Sequence, residues 1–153
     1  MKIGLVSDTH NHLDPLLFTH FEGVDHILHA GDVGDYTLLA ALERIAPVTA
    51  VAGNNDFDPR LRDLEFVALN GRGFLLCHIV NPHRPSEALR QRLDRHRPQV
   101  VVYGHTHQAE ARWVEGVLFI NPGYAGRPRF GQPRTIALLE DGAGELRHQF
   151  IPL

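Results

Sequence analysis

The sequence predicts an α/β fold, a four-layer α-β-β-α sandwich of two packed, mixed β-sheets with flanking helices. Two observations lead to this prediction. Short apolar runs alternate with helix-like stretches as far as Gly104, and strand and turn patterns follow from there to the end of the chain. No linker or low-complexity segment divides the 153 residues, and a chain of this length is one ordinary domain. We therefore predict a single domain over residues 1–153.

The first strands are predicted from apolar runs that end in polar or turn residues. Because these runs show little alternation, they are typical of strands buried on both faces of a sheet. They cover residues 3–6, 26–30, 48–53, 74–80 and 100–104. Two later runs, 118–120 and 136–139, are also predicted strands, and residues 141–144 (DGAG) have the composition of a hairpin turn.

Three helices are predicted between these strands, over residues 14–21, 35–46 and 86–96. The first follows Asp14 and has Pro15 in its first turn, where proline is favoured. The second carries leucines at helical spacing and stops at Pro47, and the third stops before Pro98, because proline cannot continue a helix. The order β-α-β-α-β, followed by strands, predicts helices outside two packed sheets.

The composition excludes several classes of catalyst. Lys2 is the only lysine, so the body of the domain has no phosphate-loop lysine and no Schiff-base lysine. Ser7 and Ser86 are the only serines, and neither lies in a G-x-S-x-G elbow. The 11 histidines are far more than a domain of this size needs. These counts disfavour a hydrolase with a side-chain nucleophile and favour metal chemistry.

Charge and cysteine content indicate the setting in which the protein works. The net charge of −3 does not favour a nucleic-acid partner, and the polar turn after the first apolar run argues against a signal peptide or a membrane span. Cys77 is the only cysteine and has no partner for an internal disulfide, which fits a reducing compartment. We expect a cytoplasmic protein that does not bind membranes.

Side chains of metal-ligand type stand at the ends of the five predicted strands up to Gly104. They are Asp8, His10, Asp32, Asn54, His78, His105 and His107. In open α/β sheets, ligands collect in the crevice outside the carboxyl ends of the strands. Oxygen and imidazole ligands without thiolates suit Mn, Fe, Zn or Ni. Seven ligands are too many for one ion and suit two ions that share a bridging carboxylate.

The charge of such a site favours a phosphate ester as substrate. Two divalent cations and two aspartates leave a surplus of about +2, which the neutral Asn54 preserves. Two metals ~3.5–4 Å apart can bind phosphate oxygens and lower the pKa of a bridging water towards neutrality.

Five motifs in order resemble the calcineurin-like metallophosphoesterase superfamily. They are Asp8-x-His10, Gly31-Asp32, Gly53-Asn54-x-Asp56, the strand-borne His78, and Gly104-His105-x-His107. The resemblance is closest to the small, single-domain bacterial and archaeal phosphodiesterase branch, and it extends from Lys2 to about Gly123.

The resemblance implies a role for each of the seven residues. Asp8, His10, Asp32 and His107 would hold one metal, and Asp32, Asn54, His78 and His105 the other, with Asp32 as the bridge. The cofactors would be two divalent ions; manganese is favoured, with nickel, iron and zinc as alternatives. A metal-bound hydroxide would attack the phosphorus of a small phosphate ester, either a nucleotide or a diester.

Two departures from the family pattern leave alternatives open. Asn55 stands where larger family phosphatases carry a histidine that helps to protonate the leaving group, and Ile79 replaces the usual glycine after His78. The main alternative is a catalytically weak or inactive metal-binding scaffold of the same fold, like the retromer scaffold subunit; another is metal storage or sensing.

His29 is expected to be a packed, hydrogen-bonded residue. Arg127 and Arg129 are either phosphate ligands or part of a surface loop.

Overall fold

The computed structural model describes residues 1–142 and 144–153 as ten strands and three helices. In chain order these are β1 (Lys2–Val6), α1 (Leu16–His20), β2 (His26–His29), α2 (Thr37–Leu42), β3 (Val48–Ala50), β4 (Leu64–Leu69), β5 (Arg72–Cys77), α3 (Glu87–His96), β6 (Val100–Val102), β7 (Glu110–Val114), β8 (Val117–Asn121), β9 (Thr135–Gly142) and β10 (Glu145–Pro152). None of the helices in these ranges is long and apolar enough to cross a membrane.

The strands form two mixed sheets of five strands each. Sheet 1 has the order β10-β9-β1-β2-β3, in which β1, β2 and β3 are parallel and β9 and β10 are antiparallel to their neighbours. Sheet 2 has the order β4-β5-β6-β8-β7, in which β5, β6 and β8 are parallel. Parallel neighbours end at the same edge, so each sheet delivers several loops to one side of the molecule.

The apolar side chains divide into three clusters that separate four layers. The cluster between the sheets joins residues such as Ile3 and Leu28 of sheet 1 to Phe74 and Val102 of sheet 2. A second cluster packs α1 and α2 against the outer face of sheet 1, and a third packs α3, through Leu89, against the outer face of sheet 2. Burial of apolar surface on both faces of each sheet holds the sandwich together. The predicted four-layer α/β fold is confirmed.

Several element bounds differ from those predicted. Helices α1 and α2 are shorter than the predicted ranges, and the regular part of the third strand ends at Ala50, after which Val51 forms an isolated bridge to Arg62. Strands β4, β7 and β10 lie outside the predicted strand ranges, and none of their side chains is fully buried. The predicted turn at 141–144 includes residue 143, which lies outside the described residues; the strands on either side of it pair antiparallel.

Candidate metal centre

Loops from both sheets meet at the shared edge where the parallel strands end. Backbone hydrogen bonds join them: Asp8 N donates to Gly31 O and His10 N to Asp32 O, each at 3.0 Å. In sheet 2, Gly104 N donates to His78 O, also at 3.0 Å. The loops that carry Asp8 and Asp32 are therefore bonded to each other, as are those that carry His78 and His105.

Five of the seven predicted ligands lie together, as three histidines around two carboxylates. Asp8 Oδ1 lies 3.2 Å from His107 Nε2 and 3.9 Å from both His10 Nε2 and His78 Nε2. Asp32 Oδ2 lies 3.4 Å from His78 Nε2 and 3.6 Å from His10 Nε2. Two triads, Asp8-His10-His107 and Asp8-Asp32-His78, each place their ligand atoms within 4.8 Å of one another. Asp8 belongs to both triads.

Three buried polar atoms at this centre have no hydrogen-bond partner among the described residues. They are Asp8 Oδ1, His10 Nε2 and His78 Nε2. A buried polar atom left in this state costs about 1–3 kcal/mol, and here all three face the same space. A cation that accepts lone pairs from a carboxylate and two imidazoles satisfies them together. The donor set therefore fits a divalent metal.

Neighbouring groups aim these free atoms at the centre. His78 Nδ1 donates to Ala30 O at 2.7 Å, which leaves the lone pair on Nε2 directed inward. Asp8 Oδ2 accepts hydrogen bonds from Ser7 Oγ at 2.6 Å and from His105 N at 3.1 Å, which leaves Oδ1 free. Ile79 does not displace His78, because the His78 side chain is only 3% exposed and lies inside the cluster.

Asn54 and His105 lie at the exposed side of the centre, outside the two triads. Their side chains bond to each other, with Asn54 Oδ1 3.0 Å from His105 Nδ1. The His105 ring stands edge-on to the His78 ring at a centroid distance of 5.4 Å, so it borders the cluster. The structure thus gathers five of the predicted ligands and places the other two at the opening.

The backbone of the candidate ligands is held in a conformation that non-glycine residues rarely adopt. Asp8, His10, Asp32, His105 and His107 have φ values of 55°, 45°, 51°, 70° and 59°. Each left-handed residue of this kind costs on the order of 1 kcal/mol or more and persists where the surroundings fix it. Such strain is concentrated at functional sites, and five of the seven candidate ligands carry it here.

Glycines in the motifs let these loops approach closely. A Cβ atom at Gly53 would collide with Asp32 Oδ1 and the Asp32 backbone, and one at Gly104 would collide with Ser7 Oγ. Steric contact therefore explains why glycine precedes Asp32, Asn54 and His105.

Asn55 is a neighbour of the site whose contacts the sequence did not reveal. Its backbone N donates to Asp32 Oδ1 at 2.9 Å and its Nδ2 to Asp32 Oδ2 at 2.8 Å. Burial raises the pKa of Asp32, but the two hydrogen bonds from Asn55 lower it. The hydrogen bonds have the larger combined effect with the nearby charges, so the pKa lies below its ordinary value. Asp32 is consequently a fixed negative charge.

Asp56 organises the loops beneath the ligands. Its carboxylate accepts hydrogen bonds from Val33 N at 2.9 Å and from Gly34 N and Gly53 N at 2.8 Å. These bonds tie the loop after β2 to the loop after β3. The only signal for this role in the sequence is the Gly53-Asn54-x-Asp56 motif of the family resemblance.

His29 is a packed, hydrogen-bonded residue, as predicted. Its Nδ1 accepts from Gly31 N at 3.2 Å, and its Nε2 lies 3.0 Å from Thr9 Oγ1. Burial lowers the pKa of His29 to about 4, so the ring is neutral near pH 7. Its bonds support the loops of Asp8 and Asp32.

The chain is similar to known proteins along most of its length. The calcineurin-like phosphoesterase superfamily domain matches residues 1–143 of the chain. A probable metallophosphoesterase of Methanothermobacter thermautotrophicus is 35% identical over 152 residues, covering 93% of this chain and 87% of the relative. A phosphodiesterase of Methanocaldococcus jannaschii is 31% identical over 167 residues, covering 96% and 97%.

Solved structures share the fold over almost the whole chain. An archaeal phosphodiesterase superposes with a TM-score of 0.77 at 27% identity and covers 99% of this chain and 100% of its own. The zinc complex of Vps29 from Entamoeba histolytica superposes with a TM-score of 0.74 at 22% identity, with 99% of each chain covered, which shows likeness of fold alone. The chain belongs to the calcineurin-like phosphoesterase superfamily and is a metal-dependent phosphoester hydrolase.

Proposed function

We propose that this protein is a dinuclear phosphodiesterase whose seven predicted ligands hold two divalent cations. The observation that carries the proposal is the convergence of three buried, unpartnered atoms, Asp8 Oδ1, His10 Nε2 and His78 Nε2, within the described part of the chain. Because the candidate ligands form two triads that share Asp8, they offer donor atoms to two neighbouring ions.

The two ions would divide the ligands as the family resemblance implies. Asp8, His10, Asp32 and His107 would hold one ion, and Asp32, Asn54, His78 and His105 the other. Asn54 and His105 would exchange the bond between them for a bond to the cation. Manganese is the proposed ion, with nickel, iron and zinc as alternatives, and a donor set of oxygen and imidazole without thiolate suits all four.

Residues of the chain would supply charge and position to the reaction. The cations would lower the pKa of a bound water so that hydroxide attacks phosphorus in line with the leaving group. Asp32 stays ionised because Asn55 donates two hydrogen bonds to it. Asn55 itself has no proton to give to a leaving group. Esters with good leaving groups are therefore expected to react fastest.

Small phosphate diesters are the proposed substrates. His10 and His107 are each about one quarter exposed, and Asn54 and His105 are more open, so one side of the centre is accessible from solvent. The Methanocaldococcus jannaschii relative, which aligns along almost its whole length, is a phosphodiesterase. This relationship supports a diester rather than a monoester for the present chain.

The test is hydrolysis of bis(p-nitrophenyl) phosphate by chelator-stripped protein, with and without Mn²⁺, Ni²⁺ or Zn²⁺. Asp32→Asn is the matched control, because it keeps the shape of the side chain and removes the charge that Asn55 holds in place. Metal-restored turnover in the wild type that is lost in Asp32→Asn is the expected result. Stoichiometric metal binding without turnover for any of the three ions would instead favour the metal-binding scaffold.

A further inference from the structure

A tight turn at residues 129–132 stands beside the candidate metal centre. Gln132 N donates to Arg129 O at 3.2 Å, and the two residues form an antiparallel bridge. Gly131 has φ +71°, the left-handed conformation that a type II turn requires at its third residue. Gln132 Nε2 donates to His107 O at 3.2 Å. The turn is thus attached directly to the backbone of a candidate ligand.

Tyr124 connects the same turn to the ligand side chains. Its ring is fully buried and packs against the rings of His107 and His10 at centroid distances of 4.7 Å and 6.1 Å. The Arg129 guanidinium carbon lies 5.3 Å from the centroid of the Tyr124 ring, a cation–π arrangement. One aromatic ring therefore separates Arg129 from two candidate ligands.

The charge of Arg129 is available to a ligand. In the ranges 1–142 and 144–153, no carboxylate lies within 4.0 Å of its guanidinium. The Tyr124 hydroxyl donates to Arg127 O at 3.1 Å, which holds the start of the loop against the buried ring. A guanidinium held near a cationic centre suits an anionic oxygen of a substrate.

Phe130 is at the tip of this turn and is fully exposed, at 109% of its reference area. Its ring contributes nothing to the packed core of the protein. Exposed single apolar residues are common, but this one follows Arg129 directly and lies on a turn bonded to His107. An exposed aromatic ring beside a cation is a surface on which nucleobases stack.

We propose that the turn 129–132 is the substrate-binding arm of the enzyme and selects nucleoside phosphodiesters. Phe130 stacks on the base of the nucleoside that remains attached to the phosphate after hydrolysis, and Arg129 binds a non-bridging phosphate oxygen. This assignment rests on the proposed phosphodiesterase function and adds the class of its substrate. It also decides between the two roles left open for Arg129 in favour of a phosphate ligand.

The test compares two diesters that share the p-nitrophenolate leaving group, thymidine 5′-(p-nitrophenyl) phosphate and ethyl p-nitrophenyl phosphate. In the metal-loaded full chain, Phe130→Ala is expected to lower kcat/KM for the thymidine ester about tenfold, mainly through KM, and to change the value for the ethyl ester less than about twofold. Phe130→Tyr keeps the ring and is expected to match the wild type. Thymidine 5′-phosphate is expected to bind Phe130→Ala about tenfold more weakly in calorimetry.

Trp113→Ala is the matched control, because Trp113 is an exposed aromatic residue on the edge strand β7, opposite Leu118 near the start of β8 and away from the centre. It is expected to leave both esters unchanged. Equal losses on the two esters in Phe130→Ala, or no loss on either, would overturn the assignment. Wild-type protein that hydrolyses neither ester with any metal would overturn the proposed function itself, and the arm with it.

Discussion

At the scale of a single residue, Asn55 holds the carboxylate of Asp32 through two hydrogen bonds. Where larger family members are expected to carry a histidine, this side chain donates to Asp32 Oδ2 at 2.8 Å, and its backbone N donates to Oδ1. Partners of metal ligands orient those ligands and keep them charged. In the proposed site, the side chain at position 55 would therefore support metal binding by Asp32 rather than the departure of the leaving group.

This role predicts a loss of metal affinity in Asn55→Ala. Without the amide, Asp32 keeps one donor and loses its fixed orientation, and Mn²⁺ affinity is expected to fall about 10-fold or more. The measurement is calorimetric titration of chelator-stripped protein with Mn²⁺. Gln91→Ala, on the exposed face of α3, is the control and is expected to bind as the wild type does. Unchanged affinity in a folded Asn55→Ala would contradict the role.

The sequence shows candidate ligands more readily than the residues that contact them. His105 and Asp32 can be predicted because each follows an apolar run at a place where parallel strands must end together. The contacts of Asn55 depend on the loop conformation after β3, and Tyr124 reaches His10 from more than a hundred positions away along the chain. No local pattern encodes such contacts, so these residues emerge only from the fold.

At the scale of elements, the loops after β2 and β3 behave as one unit because Asp56 joins them. Its carboxylate accepts two hydrogen bonds from the first loop, at Val33 N and Gly34 N, and one from the second, at Gly53 N. Hydrogen bonds to a charged group are worth about 1.5–3 kcal/mol each. The position of Asp32, which lies in the first of these loops next to Val33, depends on this anchor.

Asp56→Ala is therefore expected to destabilise the metal-free protein by about 3 kcal/mol, since three backbone N–H groups lose their acceptor and water replaces it only partly. Urea unfolding of chelator-stripped protein measures this change. Asp58→Ala, in the same loop, removes a carboxylate that pairs with the exposed Arg60, and a much smaller change is expected. Equal effects of the two substitutions would show that Asp56 is not the anchor.

The strands that the sequence predicts best are those covered on both sides. β1, β2 and β6 are almost entirely buried, so their residues form continuous apolar runs. β4 is an edge strand of partly exposed residues with Glu65 in its middle, and its pattern resembles a loop. Its pairing with β5 is determined by long-range contacts rather than by its own composition.

At the scale of the whole molecule, the candidate ligands come from both sheets. Sheet 1 and its loops supply Asp8, His10, Asp32 and Asn54, and sheet 2 and its loops supply His78, His105 and His107. Three buried polar atoms where the sheets meet have no hydrogen-bond partner within the residues that the structure describes. Cations at this position would bind both sheets at once and remove that cost.

Metal binding is accordingly expected to stabilise the entire sandwich. With free Mn²⁺ at about 100 times its dissociation constant, the free energy of unfolding is expected to rise by about 2.7 kcal/mol, which for a chain of this size corresponds to an increase in Tm of about 5–10 °C. Calorimetric melting with and without Mn²⁺ measures the shift.

Asp8→Asn in sheet 1 and His78→Asn in sheet 2 should each reduce this increase in Tm, because each removes a candidate ligand that the other sheet cannot replace. His148→Asn, on the exposed strand β10, should keep the full shift. A shift that survives in His78→Asn but disappears in Asp8→Asn would mean that sheet 1 alone holds the metal.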